Sequence, residues 1–94
     1  MANKKPTRGD AYREILAKDG ISFEDCRVLS FVFEDERQPH YFHYRLMDEK
    51  PDYFIFDWWE KYANVVVPKD ATNDAHIILI AEALGGQKTM PNLG

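Results

Sequence analysis

Two runs decide the fold: Cys26-Arg-Val-Leu-Ser-Phe-Val-Phe33 and His40-Tyr-Phe-His-Tyr-Arg-Leu-Met47, joined by Glu-Asp-Glu-Arg-Gln-Pro39. The first is β-branched and aromatic. Val28 and Val32 fall on one face and Leu29, Phe31 and Phe33 on the other, so both faces are apolar and the strand needs neighbours. In the second run Phe42, Tyr44 and Leu46 alternate with Tyr41, His43 and Arg45, which predicts a second strand over His40 to Met47. Between them Asp35 to Pro39 is turn chemistry. Asp48-Glu-Lys-Pro-Asp52 reads as another turn and Tyr53 to Asp57 as a third strand, most simply joined in a meander.

Helices are expected on either side of this block. Thr7 and Asp10 have capping-box spacing, Tyr12, Ile15 and Leu16 form a stripe, and Gly20 is a left-handed stop, which places a helix at about Asp10 to Asp19. Trp58 to Asn64 fits either an extension of the third strand or a helical turn. Val65-Val-Val67 is β-prone and ends at Pro68. Thr72 or Asn73 caps a last helix from Asp74 to Leu84, stopped by Gly85-Gly86, with a buried strand over residues 76–80 as the alternative. The expected fold class is α+β, a single small domain with the order α-β-β-β-(β)-α. An antiparallel meander sheet is covered on one face by helices. The domain spans residues 10–86, between a flexible basic N-terminal tail (1–9) and a flexible C-terminal tail (87–94).

Ninety-four residues with a net charge of -4, 45% hydrophobic and 30% charged, suit one soluble globular domain. The single Cys26 allows no internal disulfide. Met1 to Gly9 lacks the apolar stretch of a signal peptide, and Ile77 to Ala81 is too short a run to span a bilayer. A cytoplasmic location is the expectation. Charge is uneven: residues 1–13 carry Lys4, Lys5, Arg8 and Arg13 against Asp10, a net +3, which leaves -7 on the other 81 residues. Twelve of the thirteen aromatics lie between Phe23 and Tyr62, and ten acids lie between Glu24 and Glu60, so the aromatic centre of the chain is also its acidic part.

Reactive constellations are scarce. On a strand His40 and His43 point to opposite faces, His76 lies on the far helix, and no Cys or His pair has zinc-ligand spacing. Cys26 opens an apolar strand, where a free cysteine acts as a small hydrophobe. Ser22 and Ser30 sit in no Gly-x-Ser-x-Gly elbow, and Ser22 has capping-box spacing to Asp25. The pairs Asp57 with Glu60 and Glu34 with Glu36 flank turns and strand ends, where acids are solvated. Gly85-Gly86 follows a helix, the wrong polarity for a phosphate cradle. Neither catalytic, cofactor-binding nor metal-binding residues are expected, and the chain does not read as an enzyme.

Three binding classes remain. The expected helix-strand-strand-strand-helix order resembles a double-stranded-RNA-binding domain. Pro39-His40 ahead of Tyr44 is similar to that family's second-strand region, and Ala75 through Ala81-Glu82-Ala83-Leu84 to its last helix. The resemblance implies RNA binding; separately from it, rings exposed on a sheet, Tyr41, Phe42, His43 and Tyr44, are suited to stack bases. Where the family grips phosphate with a basic cluster, this chain has Asn73, Asp74 and His76, and an acidic body gains little from counterion release. A self-associating structural protein, a homodimer for example, is a second class, because the sheet has two apolar faces to cover. The favoured reading is a small acidic protein-binding module that occludes the basic surface of a partner protein, for example a nucleic-acid enzyme, away from membranes. Small immunity proteins, antitoxins and phage anti-defence inhibitors are of this type. Its expected partner-binding residues are Glu34, Asp35, Glu36, Asp48, Glu49 and Asp52 in the turns, with Tyr41, Trp58 and Trp59 as aromatic anchors.

Overall fold

In a computed structural model, which describes residues 5–94, four strands form one antiparallel sheet. They are β1 (Cys26–Val32), β2 (Ile55–Trp59), β3 (Tyr62–Pro68) and β4 (Gln87–Thr89), in the spatial order β2-β3-β1-β4. Three helices accompany them: α1 (Arg8–Ala17), α2 (Gln38–Glu49) and α3 (Asp74–Ala83). The domain is α+β, as the sequence implies. Lys4 of the expected basic tail lies outside the described residues.

β1 and β3 are the centre of the sheet, and their alternating residues feed two cores. Leu29, Phe31 and Phe33 with Ala63, Val65 and Val67 pack against Phe42 and Leu46 of α2 and Ile77, Ile80 and Ala81 of α3. On the other face Val66 and Ile55 pack with Tyr12 and Leu16 of α1, joined by Val28, Phe23 and Leu93. Helices therefore cover both faces of the sheet and not one as expected, α1 alone on one and α2 with α3 on the other, because β1 and β3 are apolar on both sides. Burying β3 on both sides leaves its middle, Ala63 to Val67, fully enclosed.

The expected strand over His40 to Met47 is instead the body of α2. Phe42 and Leu46 are four apart, a spacing that puts them on one face of a strand or of a helix, and both are fully buried. Tyr44 distinguishes the two: a strand would bury it with them, whereas it is 64% exposed. Pro39 does not close a turn but sits in the first turn of the helix, where its missing N–H costs nothing. Without a strand here the meander and the RNA-binding-domain order both lapse, and β1 pairs with β3 and β4 instead of with its sequence neighbour.

Elsewhere local chemistry prevails as read. Thr7 and Asp10 form the capping box, with Thr7 Oγ1 accepting from Asp10 N at 3.1 Å and Asp10 Oδ2 from Thr7 N at 3.0 Å. The helix starts two residues earlier than expected, at Arg8. Residues 58–64 are neither a continuous strand nor a helical turn: β2 and β3 form a hairpin through Glu60-Lys61. Residues 76–80 are helical. α3 ends in a Schellman motif, with Gly86 N–H bonding Ala81 O at 2.8 Å and Gly85 N–H bonding Glu82 O at 3.0 Å, and Gly85 in the left-handed region. The expected C-terminal tail contributes β4, pairing Gln87 to Thr89 with Val32 to Ser30, and then crosses the α1 face, where Leu93 O accepts from Gly9 N.

Gly86 lies against the core: a Cβ there would meet Phe33 Cε2 at 2.5 Å and two further ring carbons at 2.8 Å. Gly86→Ala therefore forces the Phe33 ring out of its packing and lowers stability by about 1–3 kcal/mol, measured by urea unfolding; an unchanged midpoint contradicts this packing.

Candidate functional site

α2 carries the largest concentration of exposed rings. Its sheet-facing stripe is Pro39, Phe42 and Leu46, which leaves Tyr41, Tyr44 and Met47 exposed. Tyr41 borders a shallow cavity of about 550 Å³ lined by Asp35, Arg37, Gln38 and the end of α3 at Ala83 to Gly85. The Gln38 side chain accepts from the N–H groups of Glu34 (3.0 Å) and Asp35 (2.9 Å), which holds the acidic loop against the start of the helix.

The acids expected to form the binding surface divide into two groups. Asp35 is bonded to Arg37, whose guanidinium holds its carboxyl below the usual range. Glu49 is bonded to Arg45 at 2.8 Å and to His76 at 2.8 Å, and its carboxyl is likewise lowered, chiefly by Arg45. Among the described residues Glu34, Glu36, Asp48 and Asp52 are exposed and make no ion pair. Glu34 and Glu36 lie before the start of α2, Asp48 in its last turn and Asp52 just after it, so unpaired carboxylates flank Tyr41 and Tyr44 at both ends of the helix. Twelve residues of helix separate the two groups by about 18 Å.

The two tryptophans part company. Trp58 is 38% exposed and lies beside α2, with His40 edge-on at 5.0 Å and His43 at 5.7 Å. Trp59 points to the opposite face, as strand alternation requires, where Arg8 stacks over it at 3.5 Å and Tyr62 lies at 5.6 Å. It takes no part in the α2 surface. His40 and His43, expected on opposite faces of a strand, lie one helical turn apart on the same side of α2. His43 stacks flat on Phe56 at 4.4 Å, and burial, then the neighbouring His40, lowers its pKa. Among the described residues no group of three or more His, Cys, Asp or Glu could hold a metal ion.

A second polar assembly lies under α1, and sequence reasoning missed it. Ser30 and Asp57 are the register partners of Asn64 on either side, so three polar residues line up across β1, β3 and β2. Ser30 Oγ donates to Asn64 Oδ1 at 2.7 Å; Asn64 Nδ2 donates to Tyr12 Oη at 3.0 Å and to Asn92 O at 2.9 Å. Tyr12 Oη donates to Asp57 Oδ2 at 2.6 Å, which also accepts from Arg8 at 2.6 Å. Every described buried side-chain polar atom has a partner. The available signal was Ser30 and Asn64 inside apolar strands, but their register is needed before they form a row. Asp57 is thereby bonded into this assembly and does not pair with Glu60. Cys26 is half-buried, with burial and then Asp25 and Glu24 raising its pKa, the reverse of what a nucleophilic thiolate requires. Ser22 donates to Glu24 at 2.9 Å and does not form the expected capping box.

No known protein family matches this chain, and neither a curated protein nor a solved structure is similar to it. Among the described residues no helix is long and apolar enough to cross a membrane.

Burial, then the bond to Asp57, raises the Tyr12 pKa well above its ordinary 10.0. Folding thus favours the neutral phenol, and the stability it contributes is complete below pH 10 and declines as pH rises beyond it. Tyr12→Phe removes two hydrogen bonds, one buried and one part-buried, and costs about 1–3 kcal/mol at neutral pH. Its stability also falls less than the wild type's above pH 10, the remainder including Tyr53, whose pKa burial also raises. Equal alkaline slopes in the two proteins contradict this role of Tyr12.

Proposed function

We propose that this protein is a binding module that uses the outward face of α2 to occlude a basic surface of a partner protein. The observation that carries the reading is the arrangement on α2: Tyr41 and Tyr44 exposed at its centre, with the unpaired acids Glu34, Glu36, Asp48 and Asp52 at both ends. Tyrosines bury much area while losing few rotors, and a polar rim around them is the common anatomy of a protein interface. Unpaired carboxylates attract a cationic surface and raise the rate of encounter. Arg37 and Arg45 do not cancel this charge, because Asp35 and Glu49 already engage them.

Inhibition by occlusion follows from this chemistry. An acidic, ring-bearing helix about 18 Å long can lie over the basic channel of a nucleic-acid enzyme and exclude its substrate. Immunity proteins, antitoxins and phage anti-defence proteins work in this manner, and a cytoplasmic location would suit such a target. RNA binding is less favoured: Tyr41, Phe42 and Tyr44 sit on a helix and not on an open sheet, and the rings are surrounded by carboxylates that repel phosphate.

A pull-down with the immobilised protein tests the reading. A basic protein is retained at low salt, released as salt rises, and lost with Tyr41→Ala/Tyr44→Ala and with Glu34→Lys/Glu36→Lys/Asp48→Lys. The two truncated rings, and likewise the three reversed charges, weaken binding roughly tenfold or more. Retention unaffected by both variants, or tight binding of labelled RNA at physiological salt, contradicts it.

A further inference from the structure

β2 is an edge strand less protected than β4 at the opposite edge. In the two-residue hairpin Trp59 faces Tyr62, and Asp57 and Ile55 face Asn64 and Val66. Residues 55, 57 and 59 thus exchange hydrogen bonds with β3, and the backbone N–H and C=O groups of Phe56 and Trp58 point outward. The opposite pairing of β3 agrees, since Phe33 N–H bonds Lys61 O on the β1 side. At the other edge β4 is three residues long and carries Lys88, two ordinary devices against strand addition. β2, Ile-Phe-Asp-Trp-Trp, has no Lys or Pro, and its single charge, Asp57, is turned under α1 to Arg8 and Tyr12.

Apolar side chains border this open edge on both sides. On the α2 side are Trp58 and Met47, the latter one turn beyond His43, which stacks on Phe56; Phe54 is exposed just before the strand. On the α1 side Ala11 and Ile15 share a cavity of about 500 Å³ with Ile55, Phe56 and Asp57. Ile15, Met47, Phe54 and Trp58 are all exposed although each is large and apolar.

We infer that a second copy of this chain covers the edge, with β2 pairing antiparallel to β2 about a two-fold axis at Asp57. Within β2 the outward backbone groups are those of Phe56 and Trp58, two residues apart, while just before the strand Phe54 N–H turns inward to Val66 O. The axis therefore sets Phe56 against the second copy's Trp58 and the reverse, and all four hydrogen bonds form. Both pairs of rings lie on the α2 side, an aromatic cross-strand arrangement that stabilises antiparallel pairs. The strand ends are self-complementary in charge. Lys50 precedes β2 and Glu60 follows it, neither ion-paired among the described residues, and antiparallel pairing brings one copy's start to the other's end. Asp57 meets Asp57 of the second copy across the axis, each already compensated by its own Arg8. The two sheets join into one of eight strands, and the Tyr41/Tyr44 face is displayed twice on the same side.

Sedimentation and hydrogen exchange on the purified full chain test this. At roughly 100 µM, enough to populate a dimer of micromolar affinity, the expected mass is twice the 11.0 kDa of the chain. The Phe56 and Trp58 amides should exchange about tenfold more slowly or better at that concentration than after dilution to monomer. Trp58→Lys should return a folded monomer, while Tyr44→Lys, away from the edge, stays dimeric. A monomer at this concentration, or a dimer in which the Phe56 and Trp58 amides exchange as freely as after dilution, overturns the inference. Either result leaves the partner-binding reading to its own test, because Tyr41 and Tyr44 lie off the edge.

Discussion

The structure depends on β3 being buried on both faces. Ala63, Val65 and Val67 belong to one core and Val66 to the other, all with no exposed surface. A strand buried on both sides requires cover on both sides, so the three helices divide between the faces. α1 and the C-terminal segment close one core; α2 and α3 close the other. Asn64 is the single polar residue in this strand's enclosed middle, and it points to the α1 face, where Ser30, Tyr12 and Asn92 satisfy it. A slip of one residue would turn its amide into the apolar core beneath α2, at a cost of about 1–3 kcal/mol for the unsatisfied group alone. The polar row thus fixes the register on which both cores rely.

How far these features are legible in the sequence depends on whether they arise locally. The capping box of Thr7 and Asp10, the stop at Gly85-Gly86 and the two apolar faces of β1 follow from neighbours in the chain, and the structure has them. α2 does not follow so simply. Phe42 and Leu46 satisfy both periods, the aromatic content favours a strand, and the decision rests on Tyr44, whose exposure comes from tertiary packing. β4 carries no apolar signal, because Gln87, Lys88 and Thr89 are all exposed and held by backbone pairing. The candidate surface was partly readable. Its acids and Tyr41 cluster in the chain, but which carboxylates remain unpaired depends on the helix. Only a helix brings Arg45 to Glu49 at i, i+4, and only the packing of α3 brings His76 to the same carboxylate.

Covering two faces with three helices leaves the sheet's rim as the uncovered part. α1 and α2 flank β2 from opposite sides, and their outer residues Ile15 and Met47 remain exposed there. The outward face of α2 is different in kind, with tyrosines and unpaired acids in place of aliphatic groups and free backbone. The first surface is the one proposed for strand pairing, the second the one proposed for charge-guided docking. Both result from the same placement of α2 beside the edge strand.

The docking surface is tested most directly by an NMR titration with a short arginine- and lysine-rich peptide. The amide signals of residues 34–48 should shift together, with Glu34, Glu36, Tyr41, Tyr44 and Asp48 among the largest, while those of α1 and β4 stay in place. Shifts centred on α1 or β4, or none along α2, contradict the assignment of this helix as the partner-binding face.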